Sequence, residues 1–244
     1  MDPDACLQPG PRPWSLRERT WPRPQRVLVM APHPDDFDAI GVSLRHLHLQ
    51  GHELHLAVLT SGAGGVDDGF GGARDAAAKA ALREAEQRES CTFFGLPPQR
   101  LHFLRLWENE AAQHEELAPL RGWMAGRPAD LVFMPHGNDS NRTHRRTYEA
   151  VCATAREQGL QAWALLNQDA KTLGMRVDAF FDYGEQEAQW KAQLLRFHRS
   201  QQERNLRTRG AGFDARVLEL NRQAAASLAT RLPYAEAFEL MRLG

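Results

Sequence analysis

The sequence predicts a Rossmann-like α/β fold of three layers, in which helices cover both faces of a mostly parallel sheet. Two observations carry that prediction. Between residues 26 and 166, short apolar runs alternate with longer amphipathic segments, the strand–helix order of a parallel sheet wrapped by crossover helices. The first run, Val27-Leu-Val-Met-Ala31, is continuously apolar, as befits a strand buried on both faces. At 244 residues, a single core of this kind can bury roughly three quarters of the unfolded surface.

The elements follow in order. Residues 1–25 hold Pro3, Pro9, Pro11, Pro13, Pro22 and Pro24 among charged residues. Proline fixes φ and lacks an N–H, so this stretch reads as an extended arm, lying on the domain or partly mobile. Residues 26–244 read as one domain with no linker inside it. After the first strand, Asp38–Gln50 reads as a helix that Asp36 or Asp38 could cap, and Leu54–Thr60 as the second strand. Ala73–Phe94 has sustained helical periodicity and stops at Gly95, ahead of Pro97-Pro98. Leu101–Leu106 is the expected third strand, Glu110–Gly126 a helix, and Asp130–Pro135 the fourth strand. Arg145–Gln158 reads as a helix ended by Gly159, and Gln161–Leu166 as a fifth strand. Beyond residue 166 the pattern loosens. Arg176–Phe181 reads as an edge strand, and Gln186–Phe197 and Phe213–Leu232 as helices that close one side of a cleft.

Composition narrows the function. Lys and Arg number 30 against 31 Asp and Glu, a formal net charge of −1. That neutrality gives no reason to expect nucleic acid or an anionic membrane as a partner. No apolar run approaches the roughly 18–20 residues of a membrane helix. The N-terminus, with Asp2 and Asp4 and no apolar stretch, does not read as a secretory signal. Cys6, Cys91 and Cys152 form no CxxC pair, so a reducing, cytoplasmic setting is expected. A small-molecule substrate is the expected partner. The sequence leaves the oligomeric state open, a homo-oligomer included.

In open α/β sheets, ligands bind beyond the carboxyl ends of the strands. Three unusual stretches fall there: Pro32-His33-Pro34-Asp35-Asp36, the glycine-rich segment from Ser61 to Gly72, and Pro135-His136-Gly137-Asn138-Asp139-Ser140-Asn141-Arg142-Thr143-His144. Two adjacent carboxylates and a histidine at a helix entrance repel or compete unless positive charge sits among them. A helix N-terminus offers part of it, and a divalent cation more. With His144 arriving from the fourth strand, two imidazoles and one carboxylate would leave a position open, the pattern of a catalytic zinc. The glycine-rich segment does not follow the first strand as GxGxxG and reads as a flexible loop or lid rather than a dinucleotide site.

These residues resemble the LmbE-like, PIG-L type N-acetylglucosaminyl deacetylases over nearly all of residues 26–242. The turn Pro32–Asp36 resembles the family's His-Pro-Asp-Asp signature. Arg83-Glu-Ala-Glu86 leading to Phe94-Gly95-Leu96, then Lys191 with His198-Arg-Ser200-Gln201, and finally Tyr234-Ala-Glu236-Ala-Phe238 follow it in the family's order. The resemblance implies an LmbE-like fold, Zn2+ held by His33, Asp36 and His144, Asp35 as general base, and removal of acetyl from an N-acetylated amino sugar or its glycoside. Another metal-dependent amidase or deacylase, or a non-catalytic ligand-binding relative, are the alternatives. One departure matters: many members carry His-Pro-Asp-His where this chain has Asn141-Arg142-Thr143-His144. Asn141 can donate a hydrogen bond but cannot shuttle a proton. The leaving amine's proton must come from Asp35 again, or from His136 or His198. The family's His-x-Ser-Gln segment favours His198 as a catalytic residue, with Arg83, Asn141 and His136 as substrate contacts.

Overall fold

Val27, Val29 and Ala31 point into one apolar core, and Leu28 and Met30 into another. That is the period-2 alternation of a strand covered on both faces. The computed structural model describes Leu7, residues 12–107 and residues 117–244. Its strands are β1 (Trp14–Ser15), β2 (Arg26–Ala31), β3 (Glu53–Val58), β4 (Leu101–Phe103), β5 (Leu131–Pro135), β6 (Ala162–Asn167), β7 (Ala179–Tyr183) and β8 (Tyr234–Leu243). Its helices are α1 (Asp36–Ala39), α2 (Gly41–Leu49), α3 (Ala76–Phe94), α4 (Ala118–Ala125), α5 (Arg142–Glu157), α6 (Glu185–Arg196), α7 (Arg199–Arg209) and α8 (Phe213–Leu228). The strands form one sheet in the order β1-β7-β8-β6-β5-β2-β3-β4. Every pairing is parallel except those of β8, which runs antiparallel between β6 and β7. The fold is therefore the three-layer, mostly parallel α/β architecture that the strand–helix alternation predicts. Among the described residues, no helix is long and apolar enough to cross a membrane.

Several elements differ from expectation. The first predicted helix is two: α1 ends at Ala39 and α2 begins at Gly41, with Ile40 non-helical between them at φ −115°, ψ 24°. Neither Asp36 nor Asp38 caps it. Asp36 turns toward the strand ends and Asp38 is buried against other side chains. β4 is three residues long, although the Leu104 and Leu106 N–H groups still donate to the Val58 and Leu59 carbonyls. Part of the predicted Glu110–Gly126 helix lies outside the described residues, as do Cys6, Pro3, Pro9 and Pro11. Arg176–Phe181 corresponds to β7, which is not the edge: Trp14 and Ser15 pair with Ala179 and Phe180 outside it. Tyr234–Leu243, which opens with the Tyr234–Phe238 motif, is a ten-residue strand.

Candidate active site and metal centre

From β2 the chain winds through β3 and β4 on one side, and from β5 through β6 on the other. β2 and β5 are neighbours, so their loops part at a switch point and leave a crevice beyond the carboxyl ends. A cavity of about 920 Å3 opens there. His33, Asp36, Asp35, Asn141, His144 and Asp169 line one region of it.

The turn after β2 folds back on itself. The His33 N–H donates to Oδ2 of Asp36 at 2.8 Å, and its ring Nδ1 is 3.2 Å from the same oxygen. The other carboxylate oxygen, Oδ1, is 3.6 Å from Nε2 of His144, which α5 presents one turn after its Asn141 cap. One ligand atom from each of His33, Asp36 and His144 lies within 4.8 Å of the others. Nδ1 of His144 is 3.1 Å from Oδ2 of the buried Asp139. A proton on Nδ1 donates to that carboxylate, which leaves Nε2 as the ring atom facing Asp36, able to ligate once its own proton is lost. A carboxylate behind a histidine is the usual partner that orients a metal-ligating imidazole.

The charges fit a cation. Asp36, Asp139 and Asp169 surround His144. Burial would lower its pKa, but Asp36 and then Asp139 push it up to about 9. Burial would likewise raise Asp36, yet His144 and His33 hold its carboxyl well below the usual range. Asp169 goes the other way: burial, with Asp36 nearby, raises it against the pull of His144. Three carboxylates thus share one imidazole's positive charge. Two nitrogens and a carboxylate oxygen are a donor set that suits zinc.

Asp35 stands beside this set but faces elsewhere. Its backbone has φ 122°, ψ −25°, a region costly for a residue with a Cβ and met chiefly where surroundings enforce it. Here the enforcement is visible. The Asp35 N–H donates to Oε1 of Gln87 at 3.0 Å, Arg83 Nη2 lies 3.1 Å from Oδ2 of Asp35, and Arg83 also donates to the Pro34 carbonyl. A Cβ at Gly62 would come within 3.1 Å of Pro34 and 3.2 Å of the Arg83 side chain, so this close approach suits glycine. Arg83 borders the cavity, but its residue is only 2% exposed. The guanidinium expected to meet substrate is paired with Asp35.

Two predicted site residues lie elsewhere. His198 is completely buried, its Nε2 2.5 Å from Oδ2 of Asp38; that carboxylate also accepts from Gln87 Nε2 and Ser90 Oγ. As a proton donor to substrate it is misplaced, because the preceding helix α6 delivers it behind the Asp35 turn rather than into the cavity. His136 accepts the Asn138 N–H on Nδ1, and its Nε2 lies 3.3 Å from Oε2 of Glu239; it is not among the residues lining the cavity. Asn141 does line it, while its Oδ1 accepts the Thr143 N–H at 3.0 Å and caps α5. Sequence reasoning missed Asp139, Asp169 and Gln87. Asp139 stood in plain view five residues before His144, and a search for the carboxylate that backs a ligating histidine finds it. Asp169 and Gln87 carry no local signal.

A match to the family model of the GlcNAc-PI de-N-acetylases, PIG-L, spans residues 28–155, just over half of the chain. The chain belongs to the PIG-L family. The matched stretch of this PIG-L chain carries His33, Asp35, Asp36, Arg83 and His144 together. A 52-residue segment is 48% identical to a putative glucosamine-6-phosphate deaminase-like protein of Bacteroides thetaiotaomicron, covering 21% of this chain and only 8% of that relative's length. Among solved structures, the fold is similar to N,N'-diacetylchitobiose deacetylase from Pyrococcus horikoshii, with a TM-score of 0.71 and 20% identity over 89% of this chain and 84% of that one. It is also similar to 4-carboxy-2-hydroxymuconate hydratase from Pseudomonas putida, with a TM-score of 0.66 and 17% identity over 90% and 96%. At these identities the likeness is one of fold, and the two neighbours are named for different reactions.

Proposed function

We propose that this PIG-L chain is a zinc-dependent hydrolase that removes the acetyl group from an N-acetylated amino sugar or a glycoside of one. One observation carries the reading: a donor set of two imidazoles and a carboxylate lies at the cavity beside an aspartate that does not belong to it. A zinc ion held by His33, Asp36 and His144 supplies Lewis acidity toward an acyl oxygen and acidifies water toward neutral pH.

The chain's own groups do the rest. Asp139 fixes the ring of His144. Arg83 and Gln87 fix Asp35, whose remaining carboxylate oxygen takes a proton from the attacking water. With His198 and His136 absent from the cavity lining, Asp35 also returns that proton to the departing nitrogen, so that acetate and a free amine leave. Asn141 contributes a neutral donor, consistent with the loss of a histidine at its position. A cytoplasmic location belongs to the same reading, supported by Cys91 and Cys152 being free thiols.

The test is release of amine and acetate from a panel of N-acetyl sugars and glycosides by the zinc-loaded protein. Asp35→Asn should keep its metal and lose roughly a hundredfold or more in rate. Full activity in that variant, or no amine released from any N-acetyl sugar, would refute the reading. Loss of zinc from it would make Asp35 a ligand instead.

A further inference from the structure

Part of the cavity wall is cationic. Arg204 and Arg209 on α7 and Arg216 on α8 line it, with Lys171 at the rim. These guanidiniums are placed differently from their neighbours. Arg196 pairs with Asp214 at 2.7 Å, and Arg207 with Asp67 at 2.7 Å. Among the described residues, no carboxylate forms an ion pair with Arg204, Arg209 or Arg216. Arg216 is held instead by a neutral group, Oδ1 of Asn205 at 2.5 Å. Arg204 is pressed against the glycine-rich loop, where a Cβ at Gly65 would sit 3.4 Å from its Nη1.

A solvated helix face spreads its charges or pairs them along the helix. Here three guanidiniums from two helices converge on one concave surface. Burial and then the charge of Arg209 lower the pKa of Arg216, against a smaller pull from Asp169, so three guanidiniums face at most one carboxylate that does not pair with them. The wall and the candidate metal ligands belong to one cavity, since His33, Asp36 and His144 line it together with Arg204, Arg209 and Arg216. A volume of about 920 Å3 is near the top of the range of roughly 300–1,000 Å3 for ligand pockets, with room for more than an acetamido group.

We propose that the substrate bears an anionic group, a phosphate ester or a carboxylate, and that Arg204, Arg209 and Arg216 bind it while the acetamide reaches Asp35. This rests on the deacetylase reading for the acetamide end alone. Guanidinium groups favour both anions through charge-assisted, often paired hydrogen bonds.

The experiment compares N-acetylglucosamine, N-acetylglucosamine 6-phosphate and N-acetylmuramic acid as substrates of the full-length, as-purified protein. At least one of the charged sugars should exceed the neutral one in kcat/KM by about tenfold or more. In Arg204→Gln/Arg209→Gln that ratio should fall toward one, and Arg204→Lys/Arg209→Lys should keep most of it. A variant that merely folds less well would lower all substrates together and leave the ratio alone. Preference for the 6-phosphate assigns a phosphate, and preference for the muramic acid a carboxylate. A ratio near one for both charged sugars, or one unchanged by the Gln substitutions, overturns the inference. A calorimetric arm measures binding of glucosamine 6-phosphate against glucosamine to parent and Gln variant. If no N-acetyl sugar is turned over, the deacetylase reading falls, and this arm alone decides the anion site: equal binding of the two sugars by the parent refutes it.

Discussion

Nη2 of Arg83 lies 3.1 Å from Oδ2 of Asp35, and this pair holds a carboxylate whose backbone stands at φ 122°. The arginine borders the cavity and pairs with the aspartate there. Replacing it frees the Asp35 side chain without touching a metal ligand. Arg83→Gln should lower kcat by about a hundredfold, the scale on which a misplacement of about 1 Å acts, with KM and zinc content little changed. Arg83 as a substrate anchor would raise KM instead. Steady-state kinetics beside elemental analysis separates the two.

Asp139 has an equally specific consequence. Its carboxylate lies 3.1 Å from Nδ1 of His144, which leaves Nε2 turned toward the proposed metal position. Asp139→Ala should weaken zinc binding by roughly 10–100-fold, the usual effect of removing such a partner. Competition with a chelator of known affinity measures it, and unchanged affinity would remove Asp139 from the site.

His198 should behave as a structural residue. Its ring closes a buried network of Asp38, Gln87 and Ser90, and its removal leaves the Asp38 carboxylate short of a partner. His198→Ala should cost about 1–3 kcal/mol of stability in denaturant melts. Asp38→Asn in the same chain should recover part of that by removing the buried charge. At a temperature where the variant is folded, its pH–rate profile should keep the parent's shape. A lost limb would return His198 to the chemistry.

His52 couples stability to acid. Its Nδ1 accepts the Gln25 N–H at 2.8 Å, its Nε2 has no partner, and the residue is 4% exposed. Burial first, then the charge of His46, lower its pKa from 6.5 to about 4. Between those values the unfolded chain binds the extra proton, so stability is full above pH 6.5 and is lost as the pH falls toward 4. The loss reaches up to about 3 kcal/mol. NMR titration of the ring checks it, and a His52 midpoint near 6.5 would contradict it.

The sheet was legible because burial on both faces leaves a continuous apolar run, as in Val27–Ala31, and because Gly95 and Gly159 end their helices with positive φ. β8 was less so. Glu236 sits inside it, almost wholly buried, accepting from the Val42 and Ser43 N–H groups and paired with Lys191. A charge at that point breaks the apolar pattern, and its partners lie far away in sequence. That His33, Asp36 and His144 converge was legible from motif and topology together. The contacts of His198 and Arg83 were not, since a motif places a residue near a site but does not fix which way it points. Whether His198 enters the cavity depends on how α6 and α7 pack. Likewise, the pairing of Arg83 with Asp35 follows from the Asp35 turn, and strain at one φ angle leaves no mark in sequence.

The most direct test is elemental analysis of the purified chain after dialysis, carried out beside His33→Ala and His144→Ala. The parent should hold one equivalent of zinc, and each variant should fall well below it while remaining folded by circular dichroism. Variants that keep a full equivalent would show that His33, Asp36 and His144 do not form the metal centre.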